Sequence, residues 1–306
     1  MIRANLLHLS YNMWSDTPPP ADCPEDRREI HFSPSLQFDG ALWRECLEAM
    51  AGAGMDMAVI DLGDGVSYDG LPEIVCEGAL APGRLREELA FCRGLGIEPV
   101  PKLNFSACHD AWFGVYSRML STPRYYDACR DLINEVCELF DGPRLFHIGM
   151  DEETWEHQKG MLYAVVRQGA LWWHDLNHLI ECVRRAGSRA WMWSDVLWHC
   201  EPEAFRRNVP LSVLQSNWYY GQQFPDERGM VAASDRLEQW GYEQVPTGST
   251  WSCRENYGRL VQYCRDRIAA ERLMGFMMAD WRPTTPRWRD THLDAIRVVE
   301  EAHRGD

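Results

Sequence analysis

The chain has 306 residues, of which 45% are hydrophobic and 25% are charged, and its formal net charge at pH 7 is −15. This composition is typical of a globular protein with a large core and excludes a disordered chain. The acidic balance predicts no nucleic-acid partner, because affinity for phosphates depends on Lys and Arg side chains.

Short apolar segments alternate along the chain with longer segments of helical period. The predicted strands are, in chain order, residues 5–10, 57–62, 97–105, 145–150, 190–195, 211–218, 244–250 and 275–281. The predicted helices cover about residues 41–53, 82–95, 123–140, 169–186, 201–207, 230–241, 257–272 and 287–303. Several of these helices end in Gly or in basic residues, which are favoured at helix C-termini.

Regular alternation of strands and helices predicts a parallel sheet with right-handed crossovers. Eight such units in about 300 residues favour an α/β fold, a single (β/α)8 TIM barrel that covers residues 1–306 as one catalytic domain. A doubly wound open sheet is the alternative. It is disfavoured because no GxGxxG motif follows the first strand and the chain contains no P-loop.

The location of the protein is predicted from its thiols and its N-terminus. The eleven cysteines form no CxxC pair and show no zinc-like spacing, so we expect free thiols in a reducing compartment. The first residues are too briefly apolar for a secretory signal, and no segment approaches the ~18 apolar residues of a membrane span. These features predict a cytoplasmic protein with no membrane partner.

Active sites of such barrels lie at the C-terminal ends of the strands and in the loops that follow. The side chains there are mainly acidic and aromatic, with few Lys or Arg, which argues against phosphate chemistry. They include Tyr11, Asn12, Trp14, Asp61, Asp64, Asn104, His109, Asp151, Glu152, Glu153, Trp193, Asp195, Trp218, Tyr219, Tyr220, Trp251, Asp280 and Trp281.

The combination of carboxylates and aromatic side chains at the strand ends indicates a glycoside hydrolase. Carboxylates stabilise the positive charge of an oxocarbenium-like transition state, and a protonated carboxylic acid delivers a proton to the leaving oxygen. Aromatic walls exclude water and raise the pKa of an enclosed Glu. A metal-dependent hydrolase is disfavoured, because the first strand reads HLS where amidohydrolase-like barrels carry His-x-His. We predict no metal and no cofactor.

The segment FHIGMDEE, residues 146–153, resembles the His-x-Gly-x-Asp-Glu signature of family 20 glycoside hydrolases, the β-N-acetylhexosaminidases. GIEPVPKLNFSACHDAWFG, residues 96–114, is similar to the strand-three segment of that family, which leads to a histidine, here His109. The resemblance implies substrate-assisted catalysis, in which the 2-acetamido oxygen of the sugar attacks the anomeric carbon to give an oxazolinium ion. It implies that Asp151 orients the acetamido nitrogen and that Glu152 is general acid and then base.

The chain departs from the family pattern at three points. Met150 stands where the family has a second glycine, and the family's sugar-binding arginine on strand one has no counterpart in LLHLSYNMW. The family's strand-seven tyrosine is not evident in TGSTWSCREN, although Tyr219 or Tyr220 could substitute for it. GalNAc is therefore as acceptable a substrate sugar as GlcNAc.

We predict an exo-acting retaining β-N-acetylhexosaminidase that releases a terminal β-GalNAc or β-GlcNAc. Its expected partner is an N-acetylhexosamine-containing glycan or glycoside, and homo-oligomerisation is left open. The predicted catalytic residues are Asp151 and Glu152. The predicted substrate-binding residues are Asn104, His109, Trp193, Asp195, Trp218, Tyr219, Tyr220, Asp280 and Trp281, of which the three Trp are similar to the family's aromatic pocket.

Two alternatives stay open. A retaining β-glycosidase would use a protein carboxylate as nucleophile, for which Asp195 and Asp280 are candidates, although the end of strand seven offers none until Glu255. A catalytically silent barrel would bind carbohydrate in the same pocket. Two neighbours of the acid pair are interpreted separately: we expect Glu153 to be a solvated charge at the start of a helix, and His147 to be either a hydrogen-bonded core residue or a support for the site.

Overall fold

Eight parallel strands form a nearly closed barrel in the computed structural model, which describes residues 1–304. In chain order the strands are β1 (Ile2–His8), β2 (Met57–Asp61), β3 (Glu98–Lys102), β4 (Leu145–His147), β5 (Arg189–Trp193), β6 (Leu214–Ser216), β7 (Thr247–Gly248) and β8 (Gly275–Pro283). Neighbours follow the order β6-β5-β4-β3-β2-β1-β8-β7. Parallel bridges from Gln215 to Gln244 and from Trp218 to Thr247 complete the ring between β6 and β7. The architecture confirms the predicted single (β/α)8 TIM barrel.

Helices cover the outside of the barrel between consecutive strands. The α-helices of the described residues are α1 (Gly40–Gly52), α2 (Pro82–Gly94), α3 (Pro123–Leu139), α4 (Trp155–Gln158), α5 (Ala170–Arg185), α6 (Pro202–Asn208), α7 (Ala233–Gln239), α8 (Asn256–Arg265) and α9 (Arg289–Ala302). Short 3-10 helices cover Glu25–Ile30, Pro72–Ile74, Ala111–Arg118, Asp195–Trp198 and Pro286–Trp288. Local sequence explains where helices begin: the Asp39 carboxylate caps α1 by accepting from Leu42 N (2.7 Å).

Most predicted strands are shorter in the structure than in the sequence pattern; residues 97–105 and 211–218, for example, reduce to β3 and β6. Two further cases have a clear local cause. The prediction of residues 244–250 reduces to β7, because Pro246 has no N–H to donate to a neighbouring strand. The prediction of residues 145–150 reduces to β4, because Gly149 and Met150 adopt positive φ angles that end the extended conformation. Because β4 ends early, Asp151 and Glu152, here called the acid pair, lie on irregular backbone.

A layer of polar side chains fills the barrel interior near the C-terminal ends of the strands. Lys102 of β3 donates to Asp61 of β2, and His8 Nδ1 lies 3.5 Å from the same carboxylate. Burial opposes ionisation of Asp61, but Lys102 and His8 lower the pKa of this carboxyl to about 2. The ring of His147 packs at 4.5 Å from Trp193, and the ring of His8 at 5.7 Å from Trp281. This polar layer lies in the barrel interior, directly below the C-terminal ends of the strands.

Most of the cysteines are buried in the core. All eleven cysteines are free thiols, and all except Cys23 and Cys200 are buried. Burial raises the pKa of Cys46 and Cys92 to about 12, so these thiols stay protonated and pack as small apolar side chains. Among the helices of residues 1–304, none has the length and apolar character needed to cross a bilayer.

Candidate active site

The chain leaves β4 through a run of left-handed backbone. Gly149, Met150 and Glu152 have φ angles of +71°, +78° and +55°. Only glycine fits at position 149, because a Cβ there would lie 2.0 Å from Asn104 Oδ1 and 2.7 Å from Asn104 Cα. Met150 occupies a conformation that glycine adopts without strain, which is a physical reason for the second glycine of the family motif. Left-handed residues on both sides of Asp151 turn the two acidic side chains into the barrel mouth.

Asp151 is held by the loop that follows β3. Asn104 Nδ2 donates to Asp151 Oδ1 (2.8 Å), while Asn104 Oδ1 accepts from Met150 N and from Ser106 N, both at 3.1 Å. Cys108 Sγ donates to the carbonyl oxygen of Asp151 (3.3 Å). The Asp151 side chain is 6% exposed. Asn104 therefore fixes the carboxylate and leaves its other oxygen, Oδ2, towards His109.

Glu152 lies between two imidazoles. His109 Nε2 is 3.3 Å from Glu152 Oε2 and 3.5 Å from Asp151 Oδ2, and His157 Nε2 is 3.4 Å from Glu152 Oε1. Burial favours the neutral carboxyl, but hydrogen bonds and charge from His109 and His157 outweigh it and hold the pKa of Glu152 below its ordinary value. Burial opposes protonation of His109, yet the Cys108, Asp151 and Glu152 side chains raise its pKa well above 6.5. Both shifts favour a proton on His109 over a proton on Glu152.

Asp195, at the end of β5, completes the acidic cluster. Its Oδ2 accepts a hydrogen bond from Glu152 N (2.9 Å), and its buried Oδ1 has no hydrogen-bond partner among residues 1–304. Burial and the nearby Asp151 charge raise the pKa of Asp195 well above its ordinary value. Asp195 thus supports the Glu152 backbone with one oxygen and keeps the other available to a bound molecule.

Aromatic rings from four strand ends surround Asp151 and Glu152. Trp281 is 5.9 Å from Trp193 and 5.8 Å from Trp14, and Tyr220 stacks on Trp218 at 5.0 Å. The indole N–H groups of Trp193 and Trp218 are buried and lack acceptors within the described part of the chain. Apolar ring faces combined with unused donors suit a sugar, which has C–H faces and hydroxyl acceptors.

Two of the predicted binding residues lie away from this cluster. The Tyr219 ring packs 5.1 Å from Phe224, on the opposite side of the chain from Tyr220, because successive side chains of extended backbone point to opposite faces. Asp280 also points away from the site: it precedes Trp281, which has φ +53° at an irregularity of β8, and it faces α9 and pairs with His292 (Nδ1 to Oδ2, 2.6 Å), fully buried. The other predicted site residues are brought together around Asp151 and Glu152.

The prediction for Glu153 is wrong. Its side chain is 3% exposed rather than solvated, and it forms an ion pair with Arg167 (2.6 Å). Helix α4 begins later, after Thr154, whose hydroxyl accepts from His157 N. This pair was not predictable, because Arg167 follows 14 residues later in a segment without helical or strand period. His157 was not predicted for the same reason. Trp14 was recognised only as an aromatic residue after a strand.

A cavity of about 760 Å³ opens beside Glu152 and Asp195. Its volume lies within the range of small-molecule sites. Four aromatic side chains from α5 and from the loops after β5 and β6 line part of its wall: Trp172, Trp173, Trp198 and Trp218. The cavity gives a bound molecule access to the Glu152 carboxylate.

His109, Asp151 and Glu152 are also the residues that could hold a metal ion, since one potential ligand atom from each lies within 4.8 Å of the others. The raised pKa of His109 opposes this use, because an imidazole must be neutral to coordinate a metal. The geometry fits a hydrogen-bonded acid pair better. The site therefore combines a fixed carboxylate, a proton-sharing Glu–His pair and an aromatic wall.

The fold is shared with the family 20 β-N-acetylhexosaminidases. The exo-β-N-acetylglucosaminidase from Vibrio harveyi, solved with N-acetylglucosamine, matches at 14% identity and a TM-score of 0.66 over 98% of this chain and 54% of its own. The β-N-acetylhexosaminidase from Bacteroides fragilis matches at 14% identity and 0.67, over 98% and 65%. Dispersin B matches at 14% identity and 0.60, over 97% of both chains.

The chain spans about half the length of the Vibrio harveyi enzyme. No family model matches the sequence, and no match was found among curated proteins. The similarity to the solved enzymes is therefore a similarity of fold.

Proposed function

We propose that this protein is an exo-acting retaining β-N-acetylhexosaminidase that releases a terminal β-GalNAc or β-GlcNAc by substrate-assisted catalysis. The observation that carries the proposal is the Asp151–Glu152 pair at the end of β4, with Asp151 fixed by Asn104 (2.8 Å) and Glu152 beside His109 (3.3 Å). The shared fold, in a structure solved with N-acetylglucosamine, supports the same substrate class.

In the first step the acetamido oxygen of the substrate attacks its own anomeric carbon, and the bond from that carbon to the leaving oxygen breaks. Asp151 accepts a hydrogen bond from the acetamido N–H, which increases the electron density on the attacking oxygen and stabilises the positive charge of the oxazolinium ion. Glu152 gives a proton to the leaving oxygen. The fixed position of Asp151 favours the reactive orientation of the acetamido group.

In the second step a water molecule attacks the anomeric carbon and loses a proton to Glu152, and the acetamido group is restored. Two inversions at the anomeric carbon give overall retention. The single proton of the Glu152–His109 pair rests on His109 in the free protein, since the pKa of His109 is raised and that of Glu152 is lowered. Substrate that displaces water and separates the pair would favour transfer of this proton to Glu152.

A protein nucleophile is the less favoured mechanism. Asp195 accepts from Glu152 N (2.9 Å) and burial raises its pKa, so it is a poor nucleophile in its neutral form. Asp280 is paired with His292 and faces α9. Asp195 is thus bound to the Glu152 backbone and Asp280 faces away from the site, whereas an acetamido substrate brings its own nucleophile.

A panel of 4-nitrophenyl glycosides tests the proposal. We expect hydrolysis of the β-GlcNAc or β-GalNAc substrate and none of the β-glucoside or β-galactoside, which lack the acetamido group. Hydrolysis of the plain glycosides at a similar kcat/KM would contradict substrate assistance. If no glycoside is cleaved while N-acetyl sugars quench the Trp fluorescence, the protein binds carbohydrate without cleaving it and the proposal is wrong.

A further inference from the structure

A buried arginine lies behind the acid pair. Arg167, on the segment between α4 and α5, has a side chain that is 1% exposed and is bound by two carboxylates. Glu153 lies 2.6 Å from its Nη2 and Asp175 of α5 lies 3.1 Å from its Nη1. We call these three residues the Arg167 clamp. Desolvating three charges is costly, so the clamp is not explained by stability alone.

The clamp contacts the loop that carries His109. Arg167 Nη2 donates to the carbonyl oxygen of Phe105 (2.8 Å), and Ala107 N donates to Glu153 Oε2 (3.2 Å). His109 follows Ala107 by two residues. The loop after β3 is thus bound to the clamp at two backbone positions immediately before the imidazole.

The clamp also contacts the loop that carries Glu152. Glu153 belongs to this loop and accepts from Arg167 N (2.8 Å) and Nε (2.9 Å), and Met150 Sδ lies 3.9 Å from Arg167 Nη2. Met150 and Glu152 have positive φ angles, which are costly for non-glycine residues and persist only when surrounding contacts enforce them. The clamp supplies such contacts on both sides of Asp151 and Glu152.

We propose that Arg167 is a positioning residue that, through Glu153, holds the loop after β3 against the loop after β4 and thereby keeps His109 within hydrogen-bond distance of Glu152. The inference rests on the proposed function and adds two residues to its machinery. Arginine suits this task because its planar fork donates to Glu153, Asp175 and Phe105 O at once, which a lysine ammonium cannot match in geometry.

The test uses Arg167→Lys, which keeps the charge and loses the fork. Two aryl N-acetylhexosaminides with good and poor leaving groups separate positioning from simple loss of folded protein. A reduced fraction of folded enzyme lowers both rates by the same factor, whereas a misplaced Glu152 lowers mainly the rate on the poor leaving group. We expect a loss of about 100-fold on the poor leaving group and a much smaller loss on the good one.

A second measurement does not depend on activity. NMR titration of the His109 ring reports its contact with Glu152, with the resonance assigned by comparison with His109→Asn. We expect the His109 pKa in Arg167→Lys to fall towards 6.5, because separation from Glu152 removes one of the groups that raise it. If the wild-type protein cleaves no glycoside, the proposed function fails and this titration still decides whether the clamp positions His109.

A matched control is Arg44→Lys. Arg44 makes a two-bond contact with the buried carboxylate of Glu88 (both bonds 3.0 Å), between α1 and α2 on the outside of the barrel. This variant should change neither the leaving-group dependence nor the His109 titration. If Arg167→Lys does not fold, Glu153→Gln replaces it, since it keeps the side-chain shape and removes the partner charge. A folded clamp variant with wild-type leaving-group dependence and an unchanged His109 pKa would overturn the inference.

Discussion

Gly149 and Asn104 are so close that position 149 has room for no side chain: a Cβ would lie 2.0 Å from Asn104 Oδ1. The same amide oxygen accepts from Met150 N (3.1 Å), and the amide nitrogen donates to Asp151 Oδ1 (2.8 Å). Asn104 can hold Asp151 only because Gly149 lets the two strand ends approach. The glycine of the strand-four motif is therefore a requirement of the acid pair's geometry.

We expect Gly149→Ala to lower kcat/KM at least about 100-fold, because the methyl group would push Asn104 away from Asp151. The folded protein should also lose about 1–3 kcal/mol of unfolding free energy through strain at φ +71°. Gly96→Ala is the control. Gly96 also has a positive φ (+78°), but a Cβ at this position would have no other atom within 4 Å. This variant should cost stability without changing kcat/KM. Wild-type activity in Gly149→Ala would show that the Asn104 contact is dispensable.

Glu152→Ala should lose far more rate on substrates with poor leaving groups than on activated aryl glycosides. An activated leaving group departs without a proton, so only the poor one depends on the general acid. Steady-state kcat/KM for both substrates provides the comparison. Glu156→Ala is the control, because Glu156 is exposed, four residues away and paired with Lys159 (2.8 Å). Equal losses on both substrates in Glu152→Ala would contradict its role as acid.

The pH dependence of kcat/KM follows from the Glu152–His109 pair. In the proposed mechanism the active form carries one proton on this pair, and that proton is lost with the raised pKa of His109, so activity should persist above pH 6.5. His109→Asn removes one of the two imidazoles that lower the pKa of Glu152 and leaves the proton on a carboxyl, so the basic limb should move to lower pH. A basic limb at the same pH in both proteins would refute the shared proton.

The raised pKa of His109 also predicts how the unfolding free energy changes with pH. His109 binds its proton more tightly in the folded protein, so its contribution to unfolding free energy is fully present below pH 6.5 and is lost as the pH rises through its folded pKa. Compared with wild type, His109→Asn should therefore show a smaller loss of stability between pH 6 and pH 9 in urea unfolding.

Lys102→Met should destabilise the barrel by about 3–5 kcal/mol at pH 7, because it leaves the buried Asp61 without its main counter-charge. In the variant the pKa of Asp61 rises, so the loss should shrink at pH 4, where this carboxyl becomes protonated. Adding Asp61→Asn should recover part of the stability. The control Lys159→Met breaks an exposed ion pair with Glu156 and should cost at most about 1 kcal/mol. Equal losses for the two Lys variants would contradict the buried pair.

The fold was predictable because strand and helix periods alternate clearly, and the barrel rule then located Asn104, His109, Asp151 and Glu152 at one end. Which strand-end side chains face the site was not predicted. Tyr219 and Asp280 each precede a residue that faces the site, and they point the other way. Strand-end position in the sequence identifies a neighbourhood, whereas the local φ angles decide which side chain enters it.

The residues that sequence reasoning missed come from the segment between β4 and α5. His157 and Arg167 belong to no periodic pattern, and their contacts with Glu152 and Glu153 depend on how that segment folds back over the barrel mouth. Glu153 was misread for the same reason, since an acidic residue before a short helix resembles a solvated helix start. Long-range ion pairs of this kind leave no local signal in a single sequence.

In the proposed reaction the acetamido group of the substrate is the nucleophile and Asp151 orients it. A series of 4-nitrophenyl glycosides with zero to three fluorine atoms on the N-acetyl methyl group tests this assignment. Each fluorine withdraws electrons from the attacking oxygen while leaving the leaving group unchanged. Substrate assistance predicts that kcat/KM falls steeply with every fluorine added, and a rate independent of fluorination would contradict it.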